Sequence, residues 1–145
     1  MKRIVTMAFI LLGALPAPAQ LEKTLHQTFD LEGASNLTIE IPNDYVIEPW
    51  ASSYLMTETH VLLFGASPSI LTHLVEEELR YQLDPELSEG MFKLSNHDKK
   101  REDIHTHFGS FTEVVKVKIF VPEKYIATSN ENRVFKKKDD SLSKQ

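Results

Sequence analysis

Three histidines, His97, His105 and His107, share one polar stretch of the chain with Asp98, Glu102 and Asp103. Neutral imidazole nitrogens together with a carboxylate are a reasonable ligand set for zinc or copper. The His105-x-His107 spacing turns both rings to one side of an extended segment. Tight metal sites usually draw on rigid elements with hydrogen-bonded outer partners, whereas Lys99-Lys100-Arg101 in the same stretch would repel a cation. Residues 95–109 therefore carry two readings: a metal loop built on His97, His105 and His107, or a solvated polar loop. His26, His60 and His73 are spread through regular elements and need no special role.

Nucleophilic chemistry has one place to look. Gly65-Ala66-Ser67-Pro68-Ser69 lies between an expected strand and an expected helix, the setting of the G-x-S-x-G elbow. The fifth residue is Ser, and Pro68 has no N–H to donate to an oxyanion, so a helix cap accounts for the segment better. Glu76, Glu77, Glu78, Glu86 and Glu89 supply carboxylates, but glycoside cleavage depends on their separation in space. Three adjacent acids on a helix fit a solvated face. Tyr45, Trp50, Tyr54 and Tyr81 are flat rings of the kind that stack on sugars; Trp50 and Tyr54 are taken as the ligand-contact candidates, with core packing as the alternative for aromatics in strands. Asn36-Leu37-Thr38 matches the glycosylation sequon at a strand start.

The elements that must position these groups are mostly strands. Alternation of apolar and polar residues over 24–30 and 37–41, then Tyr45-Val46-Ile47-Glu48 up to Trp50, predicts three strands in a tight meander, with turns at 32–36 and 42–44. A fourth strand is predicted over 54–64, with Leu55, Thr57, Thr59, Val61 and Leu63 facing one way. The period then changes. Ser67 as cap, Pro68 at the first position, and Ile70, Leu71, Leu74, Val75 and Leu79 predict an amphipathic helix over 68–80. A hairpin of 81–83 with 91–94 follows, then the polar loop 95–109. The strongest strand is 114–121, with Val115, Val117, Ile119 and Val121 on one face and Lys116 and Lys118 on the other.

The beginning of the chain reads as an address. Lys2-Arg3 runs into an apolar stretch over 4–15 and then Ala17-Pro18-Ala19, the pattern of a cleaved secretory signal. About a dozen apolar residues fall short of the roughly 20 that span a bilayer, so no stable membrane insertion is expected after cleavage. The expected divisions are a signal peptide at 1–19, a single β-rich domain at 20–127 and a charged, disordered tail at 128–145. Without its leader the chain keeps 14 basic residues against 21 acidic ones, a balance that argues against nucleic acid as a partner. There is no cysteine, so packing alone must stabilise an exported fold. In the tail, Lys136-Lys137-Lys138 could approach an anionic membrane, but Asp139 and Asp140 offset the charge.

The fold class expected is mainly β, either a sandwich or a short solenoid-like meander, with one amphipathic helix packed on the sheet. The order Phe29-Asp30-Leu31-Glu32-Gly33, Leu37-Thr38-Ile39-Glu40-Ile41, Val46-Ile47-Glu48-Pro49-Trp50 and Val115-Lys116-Val117-Lys118-Ile119-Phe120-Val121-Pro122 resembles the opening of secreted bacterial adhesin-head proteins of the GIN-domain family, over residues 27–126. The resemblance implies a β-sandwich or β-solenoid of short strands and a non-enzymatic module of the envelope or surface. It carries over no catalytic residue. The chain departs from the family by its helix at 68–80 and by stopping soon after Pro122, where relatives continue in repeated coils. The expectation is thus an exported, periplasmic or extracellular binding or structural module, adhesin-like, with no cofactor. Its partner would be an envelope protein or a glycan. The alternative is a periplasmic metal-binding protein using the histidine loop.

Overall fold

The computed structural model describes residues 20–100, 105–106, 109–128 and 131–138. In chain order the strands are β1 (Gln20–Asp30), β2 (Asn36–Glu40), β3 (Tyr45–Trp50), β4 (Tyr54–Phe64), β5 (Leu83–Ser88), β6 (Met91–Asn96), β7 (His105–Thr106), β8 (Gly109–Ser110), β9 (Thr112–Pro122), β10 (Tyr125–Ala127) and β11 (Val134–Lys137). They form a four-stranded sheet in the order β1-β4-β9-β3, a five-stranded sheet in the order β10-β11-β2-β6-β5, and the small ribbon β7-β8. Among the described residues the molecule is mainly β with a single short helix, as the periodicity predicts.

Burial follows the alternation strand by strand. On β4 the inward residues Leu55, Thr57, Thr59, Val61 and Leu63 are all buried, and Val117, Ile119 and Val121 on β9 lie beside them. Phe29, Leu55, Ile119 and Val121 of the four-stranded sheet pack against Leu37, Ile39, Phe92, Leu94 and Phe135 of the five-stranded one. Two sheets sharing one apolar layer make a sandwich, the first of the two expected architectures. The long strands β1, β4 and β9 overhang the shorter second sheet, and the helix covers the overhang. There Leu74 packs with Val61, Leu63, Ala66 and Tyr81, flanked by Ile70, Leu71 and Val75.

The tight meander does not form. The turn after β1, with Glu32 at φ 49° and Gly33 at φ 71°, hands the chain to the opposite sheet, so β1 pairs with β4 and β2 pairs in parallel with β6. β3 returns to the first sheet and pairs in parallel with β9. Period-two alternation states which face of a strand is buried; it does not name the neighbour.

The helix is shorter than 68–80. It runs as an α-helix (α1) over Pro68–Thr72 and continues as one π-helical turn over His73–Glu77. Leu79 then enters the left-handed region at φ 50°, and the Arg80 N–H donates to the Leu74 carbonyl, 2.9 Å away, closing the end. Glu76, Glu77 and Glu78 oppose the negative end of the helix dipole, which disfavours a longer helix. Ser67 occupies the cap position without a side-chain capping bond; its hydroxyl meets that of Ser69 instead.

The hairpin after the helix is displaced relative to the sequence reading. Asp84 and Pro85 lie within β5, an edge strand that tolerates proline, and the reversal comes at Glu89-Gly90, both at positive φ as a two-residue hairpin turn requires. The expected tail at 128–145 also needs correction. β11 inserts between β10 and β2, and Phe135 is only 3% exposed within the shared core. A short lysine-rich segment with one large apolar residue reads as disordered by composition; the slot between two strands is what orders it. Residues 1–19, where the signal peptide is expected, lie outside the described residues.

Candidate functional site

The outer face of the four-stranded sheet is built by the residues that alternate with its core. Register places Glu58 of β4 between His26 of β1 and Lys118 of β9, and His60 between Thr24 and Lys116. His26 Nε2 lies 3.3 Å from Glu58 Oε2, and the His60 ring meets the Glu22 carboxylate. Lys118 Nζ is 3.7 Å from Glu48 and 5.8 Å above the Phe120 ring. Lys116 has no acidic partner among the described residues.

Further along β9 the face turns aromatic. Trp50 packs on Phe120 with ring centroids 5.6 Å apart, and its indole N–H donates to the Tyr54 carbonyl at 2.8 Å. Tyr54 is 46% exposed, and Trp50 is half-buried. The two sequence-predicted contact residues are thus brought together on one surface. Of the other tyrosines, Tyr81 is in the core, and the Tyr45 hydroxyl donates to the Asn132 carbonyl at 3.2 Å. Burial raises the Tyr45 pKa, partly countered by Arg133 and aided by Glu131, so the phenol stays a donor at neutral pH.

A cleft opens where β3 begins. β3 starts at Tyr45, opposite Val117, so the earlier part of β9 runs on past it, and a hollow of ~330 Å³ forms at this corner. Val46 gives it an open apolar side chain, with Tyr45 and Val117 at its base turned to the core; Asp44, Glu58, His60, Lys116 and Lys118 surround it. Val46 is 56% exposed, an open apolar side chain beside charged groups. Sequence reasoning put Lys116 and Lys118 on the outward face but could not see His60 and Glu58 beside them, because that requires the β4–β9 register.

A second polar cluster was not legible at all. Arg80, its side chain 7% exposed, donates Nη2 and Nε to Glu113 Oε1 and Oε2 at 2.8 and 3.2 Å and Nη1 to Asp98 at 3.4 Å. The Tyr81 hydroxyl donates to Glu113 at 2.7 Å. Burial alone would lower the Arg80 pKa; the hydrogen bonds and charge of Glu113 outweigh it and raise the pKa. Arg80 and Glu113 are 33 residues apart, and no local pattern links them. The bidentate geometry ties the end of the helix to the start of β9.

The histidine candidates are not seen to converge. His97 Nδ1 is 2.8 Å from Asp84 Oδ2, His105 opens β7, and His107 lies outside the described residues. Among the described residues no group of three or more His, Asp or Glu is placed to hold a metal ion. Compared with known proteins, the chain matches no family model, no curated protein and no solved structure.

Proposed function

We propose that this chain is an exported, non-enzymatic binding module of the cell envelope, and that its ligand is a glycan held on the outer face of the four-stranded sheet. The observation that carries the reading is the composition of that face. Trp50, Tyr54 and Phe120 offer flat apolar surface at one end, and a cleft with the open Val46 side chain and a charged rim lies where β3 begins. Sugar rings present C–H faces to aromatics and hydroxyls to charged groups, so a surface with both is suited to them. The basic start and small-residue site of 1–19 support export, and the resemblance to adhesin-head proteins supports a binding role. The test is a glycan array and an envelope pull-down with the processed chain, residues 20–145, beside Trp50→Ala. Retention of a glycan that Trp50→Ala weakens supports the reading; a blank array together with a blank pull-down refutes it.

A further inference from the structure

We propose that the cleft at the start of β3 is a subsite for a hexuronic acid residue, so that the ligand is an acidic glycan; this rests on the binding-module reading above. Three features select the chemistry. Lys116 and Lys118 project from alternate positions of β9 into the cleft, and each ammonium is a compact donor suited to an anionic oxygen. Lys116 lacks an acidic partner among the described residues, so one cation is ready for a ligand charge. Asp44 and Glu58 stand on the same rim as acceptors only, which suits hydroxyl donors. The exposed Val46 side chain offers apolar surface to one face of a ring. A volume of ~330 Å³ is at the small end of ligand pockets, the size class of one or two sugar rings.

The alternatives fit less well. A neutral sugar would offer Lys116 no opposite charge. A cationic ligand would meet both lysines. A phosphate, nearly twice the charge of a carboxylate, would be set against Asp44 and Glu58, with Glu48 and Glu22 on the same face. One carboxylate with several hydroxyls on a ring answers every group in the cleft. Lys116 and Phe120 are about 13 Å apart along the strand, so a neighbouring sugar of the same chain reaches the Phe120–Trp50 stack.

The experiment is an amide-shift titration of the processed chain by NMR with galacturonate and glucuronate oligomers, matched neutral oligomers and inorganic phosphate. Uronate oligomers are expected to shift the amides of Val46, Lys116 and Val117. Lys116→Gln with Lys118→Gln should weaken that binding about tenfold or more, the effect of losing a charged hydrogen bond. Both lysines are on the outer face, so the variant keeps its fold, checked by unchanged amide shifts in the core. Equal shifts from neutral oligomers or from phosphate overturn the proposal, as does uronate binding that ignores the double substitution or no uronate binding at all. Neutral glycans that bind only through Trp50 would end the uronate assignment and leave the glycan-binding reading standing.

Discussion

Replacing Phe135 by Ala tests whether the last strand is part of the fold. Phe135 sits in β11, which bonds to β10 on one side and to β2 on the other, with its ring in the layer shared by Leu37, Phe92 and Tyr125. Deleting a buried phenylalanine ring loses its transfer free energy and leaves a cavity, together about 3–5 kcal/mol. For a domain of this size that corresponds to a fall in Tm of about 10–20 °C. Val134, next to it but turned outward, should change stability by no more than about 0.5 kcal/mol on replacement by Ala. The assay is urea unfolding followed by circular dichroism and Tyr and Trp fluorescence, with thermal melts as a second measure. A Phe135→Ala loss no larger than that of Val134→Ala would mean that residues after 130 are not packed in the sheet. Removal of everything from residue 131 onward should cost at least as much as the single substitution.

Two further outcomes are expected. Glu113→Ala should cost about 3 kcal/mol or more in urea unfolding, because it removes the bidentate partner of the buried Arg80 guanidinium and the acceptor of the Tyr81 hydroxyl. A loss below about 1 kcal/mol, the value typical of an exposed pair, would contradict the burial of that pair. The His73 imidazole should titrate above its usual value, because Glu77 hydrogen-bonds to it, with Glu78 as a weaker second partner. A raised folded value means that the favourable pairing is complete below the unfolded value of 6.5 and fades as pH rises through the folded value. The ring is exposed, so the readout is its proton NMR midpoint, which Glu77→Gln should lower; a midpoint that does not respond would show that the carboxylate is not the cause.

The candidate surface was only half legible in the chain. Alternation in β9 already sets Lys116 and Lys118 opposite Val115 and Val117, and the exposure of Tyr54 fits its proposed role as a contact residue. The cleft beside them was not legible, because it arises from where β3 starts against β9 and from His60 lying across from Lys116. In the histidine stretch His97 is engaged by Asp84, while His107 lies outside the described residues. Histidine spacing describes what a loop could gather, and side-chain partners decide what it does gather.

Local order in this protein comes from its residue pattern. The inward faces of β4 and β9, the apolar stripe of the helix and the turn at Gly33 each depend on neighbours a few positions away, which is why the pattern alone determined them. The sandwich was decided in three dimensions. Pairing of β1 with β4, the parallel alignments of β2 with β6 and β3 with β9, the insertion of β11 and the Arg80–Glu113 pair all join distant parts of the chain. Their free energy comes from surfaces that exist only once both layers have closed on the same core.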